Sequence, residues 1–295
     1  MNVELSQRVQ QLAPREGLNE TALAGLKCHR VSEPNSFTHV VYQPCLCVVV
    51  QGNKEAVLGT HIYHYNPNQY LLLTVALPLE ARVIEASPET PFLSLALTLD
   101  FDVIHDLVNR SPVIETLPAE TTPAIQVSAM NQRIEQCLLR LLDALDDSLE
   151  REVLLPLIIR ELHFYLLQSE QGYLLRQVAA RDSNAVKAQK VVRYLEEHYA
   201  NALDVGHIAD ATNMSVSSLH HSFKAATALT PMQYLKRIRL HRARVLLAGQ
   251  GINAGDVAYR VGYNSVAQFS RDFKQQFGLT PTMHRKNQQL LVQSR

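Results

Sequence analysis

The chain has 295 residues, enough for two domains with cores of their own. Its formal net charge of zero hides an asymmetry: residues 184–295 hold 15 Lys and Arg against 6 Asp and Glu, whereas residues 1–183 hold 13 against 22. A basic C-terminal part suits a polyanionic partner and an acidic N-terminal part does not, while no apolar run reaches the roughly 18 residues a membrane span requires.

The opening stretch MNVELSQRVQQLAPREGLNE is polar, so no secretory leader is expected and the setting is read as cytoplasmic. Residues 2–12 are predicted to form a short amphipathic helix, and Arg15 to Asn19 a loop. From about Lys27 the pattern turns to short β-like runs. Strands are predicted at Val40–Tyr42, Cys45–Val50, Lys54–Leu58, His61–Tyr65, Tyr70–Thr74, Ala81–Glu85 and Phe92–Leu99. Gly52-Asn53 and Gly59-Thr60 read as hairpin turns, and Asn66-Pro67-Asn68 and Ser87-Pro88 as further breaks. Many short strands at close spacing predict a small barrel or sandwich. Cys28, Cys45, Cys47 and Cys137 lack metal-type CxxC spacing and fit free thiols in a reducing compartment. Cys45 and Cys47 share a strand face; a redox-sensing pair is one reading, and buried strand cysteines are the commoner one.

After Asp100 the period becomes helical. Helices are predicted at Phe101–Asn109, Met130–Leu145 and Glu150–Gln168. The second carries Ile134, Cys137, Leu138, Leu141 and Leu142 on one stripe; the third carries Val153, Leu154, Leu157, Ile158, Leu162 and Tyr165. Stripes this wide serve packing on the barrel, a subunit interface, or both. Ala179 to Asn184 is small and polar and suits a domain joint, with Ala185–Tyr199 the first helix beyond it. The last residues, after His284, are polar and are expected to fray.

Two similar segments follow. In Asp256 to Arg285, a short helix stops at Gly262, where a left-handed residue is needed. Asn264 and Ser265 are N-cap types, so a second helix starts at once with Phe269 and Phe273 on its buried face. Earlier, HIADATNMSVSSLHHSFK repeats the plan. Asn213 stands for Gly262, Met214 for Tyr263, and Leu219 and Phe223 for the two phenylalanines. Phe223-Lys224 and Leu229-Thr230-Pro231 recur 50 positions on; upstream of the turn the offset is 49, so one residue is gained between turn and helix. The chain thus holds two copies of a helix-turn-helix, about 205–224 and 255–276. Thr-Pro ends each copy and begins another helix. The first of these, 231–247, places Tyr234, Leu235, Ile238, Val245 and Leu246 on one side, with Lys236, Arg237, Arg239, Arg242 and Arg244 around the rest. It reads as a linker holding the two motifs apart.

From Asn184 to Arg285 the chain resembles the DNA-binding domain of the AraC/XylS transcription regulators. The resemblance is carried most sharply by Gly262-Tyr263, Phe269-Ser270-Arg271-Asp272-Phe273-Lys274 and Phe277-Gly278-Leu279-Thr280-Pro281. His284 departs from the family, which usually has an aromatic before the Arg. Pro44-Cys45-Leu46-Cys47, Gln51-Gly52, Lys54, Gly59, Tyr65 and Tyr70-Leu71 are similar to the N-terminal domain of one AraC-type subgroup. The resemblance implies a cupin-like β-barrel that binds an effector or dimerises. The expected fold is α+β in two domains: a cupin-like barrel with helices packed on it over residues 1–180, then an all-α domain with two helix-turn-helix motifs over 184–295. The implied partners are double-stranded DNA, a small-molecule effector, RNA polymerase and a second copy of the chain. Activation is the family's commoner mode.

For base contacts, Arg271 is the first choice, since its guanidinium can donate two parallel hydrogen bonds to guanine. Gln268 can pair with adenine, and Val266 and Ala267 can touch a thymine methyl. In the first motif the family's roles fall on Ser217, His220 and His221, which make less selective contacts. Ser215 and Ser265 as helix caps, with Lys224, Lys274 and Arg237, are expected to meet phosphates, which set affinity but not sequence choice. Two recognition helices on one linker are expected to enter successive major grooves.

No enzyme is expected, and no cofactor. His39, His61 and His64 include no His-x-His, and His61 and His64 point to opposite strand faces; GxSxG, P-loop and dinucleotide motifs are absent. The expected function is sequence-specific transcription regulation. The alternatives are a cupin-type metalloenzyme fused to a basic domain and a non-specific nucleoid-type DNA binder.

Overall fold

The computed structural model describes residues 3–110, 123–179, 183–248 and 252–286. Three residues of the sequence-predicted joint, 180–182, and the tail from 287 lie outside the described residues. In chain order the first part contains α1 (Val3–Leu12), β1 (Gly17–Glu20), β2 (Leu26–Val31), β3 (Thr38–Tyr42), β4 (Cys45–Gln51), β5 (Asn53–Leu58), β6 (His61–Tyr65), β7 (Gln69–Leu73), β8 (Leu77–Glu85) and β9 (Phe92–Thr98). Then follow α2 (Phe101–Arg110), β10 (Ile125–Ala129), α3 (Gln132–Asp143), α4 (Ser148–Val153), α5 (Leu155–Leu167) and α6 (Gly172–Ala179). The strands form two antiparallel sheets, β1-β2-β9-β4-β7-β10 and β3-β8-β5-β6.

The run CLCVVVQ shows how the layers arise. An apolar residue at nearly every position marks a strand buried on both faces. In β4, Cys45, Cys47 and Val49 face the second sheet, in one core with Ala56, Leu58, Leu79 and Val83. Leu46, Val48 and Val50 face the other way, onto α1, α3, α5 and α6. The predicted barrel or sandwich is therefore a two-sheet fold with helices on one outer face. All four cysteines are buried free thiols. Burial pushes Cys28 up to about 12 and raises Cys45 and Cys47 as well, which disfavours the reactive thiolate of a redox sensor.

Three expectations are corrected. The loop expected at Arg15 to Asn19 runs into β1, a short polar edge strand whose Gly17 has φ 87° and whose residues pair with β2. β2 and β10 had no forecast: LKCHRV carries Lys27, His29 and Arg30 and becomes a strand between β1 and β9, while IQVSA is short and becomes one by pairing with β7, Ile125 opposite Leu73. The single helix expected over 150–168 is two. Pro156 lies in the first turn of α5, where its missing N–H costs nothing, and the chain breaks at Leu154. Leu155, Ile158, Leu162 and Leu166 are buried, whereas Val153, Leu154 and Leu157, expected on the buried stripe, are exposed.

The second part is helical: α7 (Asn184–His198), α8 (Val205–Ala211), α9 (Val216–Thr227), α10 (Pro231–Ala248), α11 (Ala254–Arg260) and α12 (Val266–Phe277). α10 buries Tyr234, Leu235, Ile238, Leu240, Ala243 and Leu247. Val245, expected inward, is exposed. Leu219, Phe223, Ala226 and Leu229 of the first motif join the core between the two sheets, while Phe269 and Phe273 of the second motif belong to a smaller, separate core with α10 and α11. Backbone and side chain tie the two parts together. Ala124 N–H donates to the Ala226 carbonyl at 2.9 Å, and Tyr234 Oη to the Ala76 carbonyl at 3.0 Å. Arg244 donates to the His39 carbonyl at 2.8 Å, and Gln276 Nε2 lies 2.6 Å from His39 Nδ1. His284, the departure from the family pattern, packs edge-on against Phe273 with centroids 5.8 Å apart, so an aromatic ring still fills the place.

Candidate nucleic-acid interface

Each motif is built by caps and a buried stripe. In the first, the Asp204 side chain caps α8 through His207 N–H at 2.8 Å; that hydrogen bond and the neighbouring His207 ring hold the carboxyl below its usual range. Thr212 ends α8, and Asn213 turns the chain with φ 55°. Ser215 Oγ then accepts from Ser218 N–H at 3.2 Å and starts α9. In the second, Asn253 caps α11, Gly262 makes the turn with φ 89°, and Ser265 Oγ accepts from Gln268 N–H at 3.3 Å to start α12. The caps at Ser215 and Ser265 keep the 50-residue spacing, so the residue gained in the second motif is Asn264, in the turn itself.

The helix period then decides what faces out. In α12, Phe269 and Phe273 turn inward and form an aromatic row with Tyr263 and Phe277, at centroid separations of 5.3, 5.6 and 4.5 Å. Ala267, Gln268, Arg271 and Lys274 are left exposed on the opposite side. In α9, Leu219 and Phe223 turn inward, and Ser217, His220, His221 and Lys224 are exposed. Both cap serines, Ser215 and Ser265, are exposed too. A small-to-medium polar face at the start of the second helix of such a motif, rigidly backed by a buried face, is the geometry that lets side chains reach base edges while the helix N-terminus meets a phosphate.

Two sequence-predicted residues lie elsewhere. Arg237 is half-buried, and its guanidinium donates to the Pro78 carbonyl at 3.1 Å. α10 lies along β3 and β8, so the face that carries Arg237 meets the sheet and not open solvent; in this arrangement it is a joint residue and not a phosphate contact. Val266 is half-buried against the second motif's own core, which leaves only part of its side chain for a thymine methyl. The structure adds exposed residues that sequence reasoning passed over, Tyr259 and Arg260 on α11. The signal was available: the aligned positions of the first motif are Asp210 and Ala211, so the copies differ there in charge and in size.

Among the described residues no three His, Cys, Asp or Glu side chains cluster to hold a metal ion. No helix of the described residues is long and apolar enough to cross a membrane.

Comparison with known proteins agrees with this geometry. Residues 22–174 match the model of the AraC-type transcriptional regulator N-terminus, and residues 208–287 match that of a helix-turn-helix domain. The chain is 30% identical over 167 residues to the HTH-type transcriptional activator RhaS of Enterobacter sp. (strain 638), covering 56% of this chain and 59% of that protein. It is 34% identical over 100 residues to RhaS of Escherichia coli (strain K12 / DH10B), covering 34% of this chain and 36% of that protein. The chain therefore spans less than two thirds of the length of these relatives. Among solved structures, ToxT from Vibrio cholerae shares the fold along nearly its whole length, with a TM-score of 0.58 at 13% identity over 88% of this chain and 97% of that one. With its sheet-rich part matching over half of the 295 residues, and its two capped helix-turn-helix motifs exposing Arg271 and its neighbours, the chain belongs to the AraC-type transcriptional regulators.

Proposed function

We propose that the chain regulates transcription by reading a defined DNA sequence with α12 and, more weakly, with α9, and that an effector acting on the sheet-rich domain adjusts this. The observation that carries the reading is the pairing of Gln268 and Arg271 on the exposed side of α12 with the aromatic row that fixes its other side. Arg271 can donate in parallel to guanine O6 and N7, worth about 1–3 kcal/mol of base discrimination. Gln268, one position beyond Ala267 in the first turn, addresses a neighbouring base. Ser217, His220 and His221 make fewer bidentate contacts, so α9 contributes less discrimination. Lys224 and Lys274, with the N-terminal turns behind Ser215 and Ser265, hold phosphates. The α10 linker sets the two helices in successive major grooves.

The division of labour follows residues 1–180 and 184–295. RhaS relatives are named activators, which supports activation and contact with RNA polymerase. The exposed row Leu149, Val153, Leu154 and Leu157 supports pairing of two copies through α4 and α5. No catalytic step belongs to this reading.

The test is selection of bound fragments from sheared genomic DNA at physiological salt, followed by footprinting, with wild type beside Arg271→Ala. Two short protected blocks at fixed spacing, one of them blurred in the variant, are expected. Equal binding of random duplex by both proteins would overturn base reading in favour of a non-specific DNA binder.

A further inference from the structure

The two recognition helices match position for position. α9 and α12 are both 12 residues long, start behind Ser215 and Ser265, and end on the left-handed Ala228 and Gly278. The spacing of 50 that sets Phe223 against Phe273 and Lys224 against Lys274 also sets His221 against Arg271. His221 lies midway between the buried Leu219 and Phe223, about 200° round the helix from each, as Arg271 does between Phe269 and Phe273. Both are exposed. The first motif thus carries an imidazole where the second carries a guanidinium.

His221 is uncommitted within the chain. Neither it nor His220 has a hydrogen bond, an ion pair or a ring contact among the described residues. α7, α8 and α10 pack on α9. On α8, Asp204 lies 2.9 Å from His207, and the exposed Asp210 is paired with neither histidine of α9. On α7, Lys190 donates to the Thr212 carbonyl at 2.7 Å, and Glu196 accepts from Gln43 at 3.5 Å. On α10, Arg237 and Arg239 are held by carbonyls. On α9 itself, Lys224 stands one turn on from both histidines and is exposed. Since no carboxylate of the described residues pairs with His221, the groups that reward a charge on its ring are those of DNA.

A neutral imidazole has one donor and one acceptor nitrogen, whereas an imidazolium has two donors and a charge. Guanine offers two acceptors, N7 and O6, in the major groove. Toward that edge the imidazolium makes a charge-assisted hydrogen bond, roughly twice as strong as a neutral one. It also adds a cation beside the phosphates. An imidazole changes its charge between about pH 5 and 8, and a guanidinium does not.

We propose that His221 reads guanine as the imidazolium, so that the first motif grips DNA in a proton-dependent way while the second, with Arg271, does not. The proposal rests on the reading of α9 and α12 as base-reading helices and names how one of them is regulated. A proton held more tightly in the complex than in the free protein makes affinity high at low pH. That affinity is lost as pH rises, by at most about tenfold per pH unit for one imidazole. In mild acid both blocks of a site are held; in mild base the block under α12 carries the complex.

The test uses the full chain and a selected genomic fragment, with affinity and footprints measured from pH 8 to pH 6 at constant salt. Arg271→Ala marks the block under α12 by blurring it. Wild type is expected to gain about tenfold in affinity, with protection deepening over the block under α9 only. His221→Gln should flatten the pH dependence, and His221→Arg should protect that block fully at both pH values. Placing 7-deazaguanine, which lacks N7, at the guanines of that block should flatten it too. His207→Gln, at an exposed histidine of the same motif, should keep the wild-type slope. Burial holds His29 and His241 down at about 4 and lowers His39 and His163, which takes the histidines of the core and the domain junction away from this pH range. A wild type with equal affinity at both pH values, a slope that survives His221→Gln, or a slope lost only in His220→Gln or His207→Gln would overturn the proposal. So would indifference to 7-deazaguanine, or an equal gain with random duplex, which assigns the proton to phosphate contact. Two defined blocks without pH dependence lose this proposal and keep the regulator reading; no defined block loses both.

Discussion

The two helix-turn-helix motifs share one sequence plan and rest on different foundations. The first continues the core between the two sheets: Phe223 is buried with Tyr234 edge-on at 5.3 Å, in the same cluster as Cys47, Leu71 and Leu79. The second has a small core of its own, built around Phe269 and Phe273 with α10 and α11. The exposed faces differ in the opposite sense. The better-anchored motif offers Ser217, His220 and His221, and the more independent one offers Gln268 and Arg271. On the proposed reading, anchoring and base recognition are thus divided between the copies. The motif joined to the sheets has the weaker side chains for base recognition, and the motif with the stronger ones is held through α10 and the contacts at His39.

The largest test of this contrast is truncation of the matched phenylalanines. Phe223→Ala and Phe269→Ala should each cost about 3–5 kcal/mol. The first should lower the unfolding of the whole protein. The second should split the transition, with limited proteolysis cutting α11 and α12 while the sheets stay intact. A single cooperative loss in both variants would show that the cores are energetically one. Next comes the turn. Gly262 has φ 89°, and a Cβ there would lie 2.7 Å from the Ala200 carbonyl oxygen. Gly262→Ala should therefore exceed the about 1–2 kcal/mol of left-handed strain alone, whereas Asn213→Gly in the first motif should change stability little, as thermal melts can show. Recognition follows: Arg271→Ala should relax one base position by about 1–3 kcal/mol in competition binding, and His221→Ala should cost clearly less. The smallest effect concerns the ends of the recognition helices. Gly278 ends α12 with φ 75°, but Ala228 ends α9 with φ 57°. Ala228→Gly should remove the left-handed strain, lose part of that gain to the more flexible unfolded chain, and stabilise by about half a kcal/mol.

Much of this plan was legible in the sequence because it depends on local chemistry. Gly262, Asn213 and the two cap serines mark turns that only a few residue types can make, and Phe269 with Phe273 fixes the helix phase. Seven strands were readable from alternation or apolar runs. β1, β2 and β10 were not: β1 and β10 are edge strands, defined by a neighbour's hydrogen bonds with little apolar content of their own, and β2 carries Lys27, His29 and Arg30 among its apolar residues. Pro156 was in plain view, yet a continuous apolar pattern outweighed it and put Val153 and Leu157 inside. Arg237 was misplaced for a different reason. A row of arginines on a linker helix reads as a phosphate face, and only the docking of α10 on β3 and β8 shows which of them meet the sheet.

Those arginines have a further consequence. Tyr234, Arg237 and Arg244 bind carbonyls of Ala76, Pro78 and His39, and Arg239 binds carbonyls of Tyr199 and Asn201. Every residue offers a carbonyl, whatever its side chain. For these bonds the recipient side is written in backbone shape and the donor side in residue identity. At Ala76 and Pro78 the bond itself does not depend on the side chain, whereas His39 also holds α12 through its ring. Mutational tolerance should be narrow at Tyr234, Arg237 and Arg244, whereas at Ala76 and Pro78 the hydrogen bond makes no demand on the side chain and only burial in the core limits it.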